Sequence, residues 1–125
     1  MKTVARKVSN VMTILDLKGK ITIGNGDVML REHINQLLAQ GERNILLNMA
    51  EVTYMDSSGL GELISCYTSV THRDGKLKLL HLIGKIRDLL QITQLITIFE
   101  VYDNEAEAVA SFFALQGEHL KVAVS

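Results

Sequence analysis

Met55-Asp56-Ser57-Ser58-Gly59-Leu60-Gly61 is the stretch on which the reading of this chain turns. It follows the apolar run Ile45 to Leu47 and opens a segment in which Leu60, Leu63, Ile64 and Tyr67 recur at helical spacing. That order reads as buried strand, tight polar turn, then helix. Such a turn lies at the edge where an α/β sheet presents its loops. Asp56 and the two hydroxyls therefore stand at a helix N-terminus, where unpaired N–H groups and the helix dipole favour negative charge. A serine there can carry a phosphate without breaking its own helix.

Before this turn, Val4 to Val8 and Val11 to Lys18 alternate apolar and polar residues, as two strands joined at Ser9-Asn10 would. Gly19 and Lys20 lead into a short segment, Ile21 to Ile23, and Gly24-Asn25-Gly26 is a turn signal. Leu30, Ile34, Leu37 and Leu38 share a helical face that ends at Gly41, a C-cap residue. The strand Asn44 to Asn48 leads to the serine turn, and the helix after it is expected to run to about His72.

Beyond the turn Asp74-Gly75, Leu77, Leu79 and Leu80 predict a strand, and Ile86, Leu89, Leu90 and Thr93 a helix. Ile98 to Val101 reads as a short strand. Asn104 with Glu107 fits a capping box for a last helix burying Val109, Phe112 and Phe113. Alternating strands and helices imply β-α-β crossovers and parallel pairing. The opening strands are joined too closely for a crossover and must pair antiparallel, so the sheet is mixed.

Composition narrows the function. The 125 residues fit one domain. A net charge of −1 argues against nucleic-acid binding, which normally shows a basic surplus. No apolar run approaches the roughly 20 residues that span a bilayer, so no membrane insertion is expected. Met1 to Arg6 lacks the apolar core of a secretory signal. Cys66, the single cysteine, has no partner in the chain, which fits a cytoplasmic protein and a core or half-buried role. Proline is absent, and nothing in the sequence explains it.

The serine turn admits a plain reading: Asp and Ser cap helices, and Gly59 and Gly61 permit close packing. Against it, one side chain suffices for a cap, and here three polar groups stand in a row beside two glycines that weaken the first turn. A nucleophilic serine is a further reading. The residue two before Ser57 is Met55, so the turn is not Gly-x-Ser-x-Gly. Candidate bases are His33 and His119, read as exposed helix positions, His72 in a charged loop, and His81 at a strand end. Gly24-Asn25-Gly26 lacks the remaining glycines and the lysine of a phosphate loop. No His/Cys pair has metal-ligand spacing, and Glu105 and Glu107 read as first-turn charges.

At Met55 to Gly61 the chain closely resembles the STAS-domain anti-sigma factor antagonists of bacteria. The resemblance extends over nearly the whole chain, through the strand ending in Asn48, Leu79-Leu80 to Leu95, and Ile98-Phe99-Glu100-Val101-Tyr102 with its acidic sequel. It implies an α/β, STAS-like single domain over residues 1–125, with a core of roughly 4–115 and a C-terminal tail of 116–125. A central mixed β-sheet flanked by about four α-helices is expected.

The resemblance also implies a switch. The first serine after the aspartate, here Ser57, is the phosphorylation site, and the kinase is usually the anti-sigma factor itself. ATP is expected on that partner, with no cofactor, metal or catalysis on this chain. The unphosphorylated chain binds the anti-sigma factor and releases a sigma factor; phosphate ends the binding, and a PP2C-type phosphatase restores it. Asp56 and Ser58 would orient the serine or the kinase. Gly59, Leu60 and Gly61 would form a flat edge for the partner, with Thr22 of the neighbouring loop beside them. Many antagonists carry Gly-Glu-Leu-Asp in that loop, where this chain has Gly19-Lys20-Ile21-Thr22, so both carboxylates are missing. The departure bears on which kinase reads the chain. An unphosphorylated STAS adaptor in a signalling scaffold or lipid-transport complex is the second reading, and a small serine hydrolase the third. Oligomeric state is left open.

Overall fold

Five strands in a computed structural model, which describes residues 1–113, form one sheet whose spatial order is the chain order, β1-β2-β3-β4-β5. These are β1 Lys2–Ser9, β2 Met12–Ile21, β3 Asn44–Met55, β4 Lys76–Leu80 and β5 Val101–Tyr102. Strand β1 pairs antiparallel with β2, as the short connection requires, and every later pair is parallel. Helices α1 Gly26–Ala39, α2 Ser57–His72 and α3 Gly84–Ile92 make the crossovers, and α4 covers residues 105–113. The mixed sheet with four flanking helices is the architecture expected.

Topology dictates the layers. Each crossover steps one strand further in the same direction, and crossovers keep one hand, so α1, α2 and α3 all fall on one face. The larger core lies there: Leu15, Ile45, Leu47 and Leu79 meet Leu30, Ile34, Leu63, Val70, Ile86 and Leu90. The opposite face needs its own cover. Met12, Ile14, Leu46 and Leu80 form a smaller core beneath Ala108 and Phe112 of α4. Asn104 Oδ1 accepts the Glu107 N–H at 2.9 Å and starts that helix. The buried stripe is Ala108 and Phe112, while Phe113, expected inside, is 37 % exposed.

Helix α1 ends as the sequence predicts. The Gly41 N–H donates to the Leu38 carbonyl and the Glu42 N–H to that of Leu37, closing a Schellman motif. Helix α2 buries Gly59, Leu63, Cys66 and Val70, with Leu60 and Tyr67 at its margin. Ile64, expected on that face, is half-buried. Burial pushes the Cys66 thiol up, so this side chain is a core residue rather than a thiolate.

Strand extents differ from the reading. Strand β3 does not stop at Asn48 but runs on to Met55, and β2 continues unbroken through Lys20 to Ile21. Between Asp16/Lys18 and Gly19/Lys20 the register shifts, with β3 holding the extra residues, so Met49, Val52 and Met55 face the core despite broken alternation. At the other edge, Leu95–Thr97 is a 3₁₀ turn and β5 is Val101–Tyr102, not Ile98 to Val101. The tail at 116–125, and with it His119, lies outside the described residues.

Candidate functional site

The serine turn is built where β2 and β3 end side by side, Ile21 opposite Met55. Two helices begin against that spot. A Cβ on Gly26 would collide with the Lys20 carbonyl oxygen, and one on Gly59 with the Ile21 carbonyl oxygen, so α1 and α2 both press their first turns onto the end of β2. Side chains would hold them apart. Gly59, which the resemblance placed in a flat edge for the partner, is thus buried and packs α2 against β2.

Asp56 is the N-cap of α2, with extended backbone angles. Its Oδ1 accepts the Gly59 N–H at 2.8 Å, three residues on, which is the standard capping geometry. Its Oδ2 accepts the Ile23 N–H at 3.0 Å, from the loop between β2 and α1. The Gly59 and Ile23 amides hold the carboxyl below the usual carboxylate range, so it is ionised at neutral pH. The side chain expected to orient the serine or the kinase is therefore engaged by its own backbone.

Around this cap the remaining predicted residues separate by exposure. Ser57, the first residue of α2, is exposed, and so is Gly61, where an added Cβ would meet nothing within 4 Å. Ser58 and Leu60 are half-buried, and Leu60 packs against the core margin. Thr22 is half-buried too, and its carbonyl accepts the Asn25 and Asp27 N–H groups at 3.4 and 3.2 Å to close the loop. The Asp56–Ile23 bond holds the loop that carries Thr22 against the start of α2, where Ser57 and Gly61 are the exposed members of the set.

Sequence reasoning missed Ile23, which stands 72 % exposed on that edge while its amide is tied to Asp56. An isoleucine within a glycine-rich turn was the available signal. It also missed Tyr54, 42 % exposed, which bears the Lys85 ammonium 5.0 Å above its ring. Lys20, the departure from the acidic loop, is Tyr54's partner in register and is exposed.

Of the histidines, His33 is not on an exposed face: it is half-buried, with Nδ1 2.7 Å from Thr3 Oγ1 on β1. His81 lies just past β4 with φ of 58°, its N–H donating to the Tyr102 carbonyl. Among the described residues no group of three or more His, Cys, Asp and Glu could hold a metal. No helix among them is long and apolar enough to cross a membrane.

The STAS domain family model matches residues 2–108. An anti-sigma-B factor antagonist of Bacillus subtilis is 32% identical over 87 residues, covering 70% of this chain and 78% of that one. An anti-sigma F factor antagonist of Paenibacillus polymyxa is 27% identical over 97 residues, 77% and 82% of the two chains. The Bacillus cell fate determinant SpoIIAA in its phosphorylated form superposes with a TM-score of 0.71 at 21% identity, over 89% of this chain and 99% of that one.

Proposed function

The chain belongs to the STAS domain family, among relatives that are anti-sigma factor antagonists, and from that premise we propose that it is such an antagonist, switched by a phosphate on Ser57. Unphosphorylated, it binds an anti-sigma factor that is also its serine kinase and so releases a sigma factor. Phosphorylation ends the binding, and a PP2C-type phosphatase restores it. The switch works in the cytoplasm beside the transcription machinery. This chain supplies a surface and an acceptor hydroxyl, and the ATP is bound by the partner.

The observation that carries this reading is the exposed Ser57 hydroxyl on the first residue of a helix whose cap is made by a different side chain, Asp56. Capping does not need Ser57, so modifying it leaves the helix start intact. A phosphoserine brings nearly two negative charges. Partner docking would have to desolvate that dianion against a surface fitted to a hydroxyl. SpoIIAA, similar in fold, has a phosphorylated form.

Lys20 and Thr22 in place of the acidic loop favour the constitutive adaptor as the second reading. The experiment separates them. Ser57→Ala should fold and bind the cognate anti-sigma factor, whereas Ser57→Asp and Ser57→Glu should fold and bind weakly. Mass spectrometry after incubation with that kinase and ATP should find one phosphate, on Ser57. Phosphate on Ser58, or none while binding persists, promotes the adaptor.

A further inference from the structure

We propose that Asp56 relays a phosphate on Ser57 to the loop between β2 and α1, breaking its hydrogen bond with Ile23 and freeing the exposed Ile23 side chain from its place on the edge. The inference rests on the phosphorylation reading above and gives it a second action: the edge loses its shape as it gains charge.

Asp56 is placed for this because one carboxylate serves two segments, the cap at Gly59 and the amide of Ile23, which lies 33 residues before Asp56 in the chain. The ties between the loop and the turn are few. Among the described residues they are the Ile23 bond to Asp56 Oδ2 at 3.0 Å and a long bond from the Asp56 N–H to the Ile21 carbonyl at 3.4 Å. The loop's other bonds, from Asn25 and Asp27 to Thr22, are its own. No ion pair among the described residues neutralises Asp56. A dianion on the next residue therefore meets a carboxylate held by N–H donors alone, and both acceptors compete for the amides of one helix start.

The two bonds differ in what backs them. Gly59 is three residues away in a helix that its neighbours continue, and it is packed against Ile21. Ile23 is backed by an exposed loop and a side chain that is 72 % in solvent. When the carboxylate swings away from the phosphate, the Ile23 bond is the one with least to restore it. Ile23, Leu60 and Gly61 then no longer share a fixed edge.

The test needs neither kinase nor partner. The full chain is made with phosphoserine installed at position 57 during synthesis, and amide hydrogen exchange is followed by NMR. The Ile23 amide should exchange about tenfold faster than in the unmodified chain, with Leu63 and Val70 inside α2 unchanged. Asp56→Asn, which keeps a good N-cap residue, should speed Ile23 without phosphate, and phosphoserine should then add less than about twofold. Unchanged Ile23 exchange in the phosphoprotein overturns the relay. So does an equal acceleration by phosphate with and without Asp56. Failure of the parent reading would show elsewhere, as partner binding indifferent to the phosphate.

Discussion

Gly59 and Gly61, two residues apart in one helix, answer opposite demands. At Gly59 a methyl group would strike the Ile21 carbonyl and lie 2.9 Å from Met55 Cγ; at Gly61 it would stand in open space. Gly59→Ala should therefore cost about 1–3 kcal/mol or more by forcing α2 off β2. Gly61→Ala should stabilise the chain by about 0.5–1 kcal/mol, because alanine is the better helix former and narrows the unfolded ensemble. Urea titrations of the two variants check both signs. The same contrast bears on what the sequence could disclose. The run Asp56-Ser57-Ser58-Gly59-Leu60-Gly61 was visible as a polar turn opening a helix, and Ser57 stands at its front as read. Which glycine packs and which is exposed depends on where β2 ends, and Gly59 meets Ile21 across 38 positions of chain. The tie between Ile23 and Asp56 was invisible for the same reason, since it is set by tertiary contact.

At the scale of elements, α4 is held from outside. Ala108 and Phe112 are its buried residues among those described, and its polar anchor is Lys78 of β4, only 4 % exposed. Lys78 Nζ donates to Ser111 Oγ at 3.0 Å, pairs with Glu100 at 3.4 Å and lies 4.7 Å from the centre of the Phe112 ring. Lys78→Ala should cost about 2–4 kcal/mol by opening a cavity under α4 and leaving Ser111 without its donor. Lys78→Met, which refills the space without a charge to desolvate, should come within about 1.5 kcal/mol of the original chain. Chemical denaturation of the pair decides whether packing or the ion pair holds the helix; equal losses would favour the ion pair. Element positions were legible where one face is plainly apolar, as in α1, whose Leu30, Ile34, Leu37 and Leu38 are all buried. The length of β3 was not, because its bulges destroy the period of two on which strand reading depends. Nor was the 3₁₀ turn at Leu95–Thr97, since a short apolar run has the same composition in a turn as in an edge strand.

At the scale of the whole molecule, the titratable groups of the described residues predict that acid acts on the fold in two stages. Arg6 holds the Asp16 carboxyl below its ordinary range, Lys7 does the same for Glu42, and the Gly59 and Ile23 amides do so for Asp56. A group depressed on folding contributes stability that is present above its unfolded pKa and is lost as pH falls through the folded one. These three thus support the fold above about pH 4 and cease to below it. His33 is a base, and burial against β1 also lowers it, so the folded chain favours the neutral ring. Its unfolded form takes up a proton first, near pH 6.5, and stability therefore starts to fall as pH drops below that value. Urea midpoints measured from pH 8 to 3 should show a plateau above about pH 7, a shallow decline below about 6.5 and a steep one below about 4. His33→Gln should remove the shallow decline and leave the steep one. Asp16→Asn should diminish the steep one while sparing the region near pH 6. A His33→Gln chain that still declines between pH 6.5 and 5 would mean that another group titrates there and that burial of His33 is not the source of the decline. The order also bears on the proposed switch, because Asp56 stays ionised across the shallow region. A phosphate on Ser57 would meet a charged neighbour at every pH where the fold is at full strength.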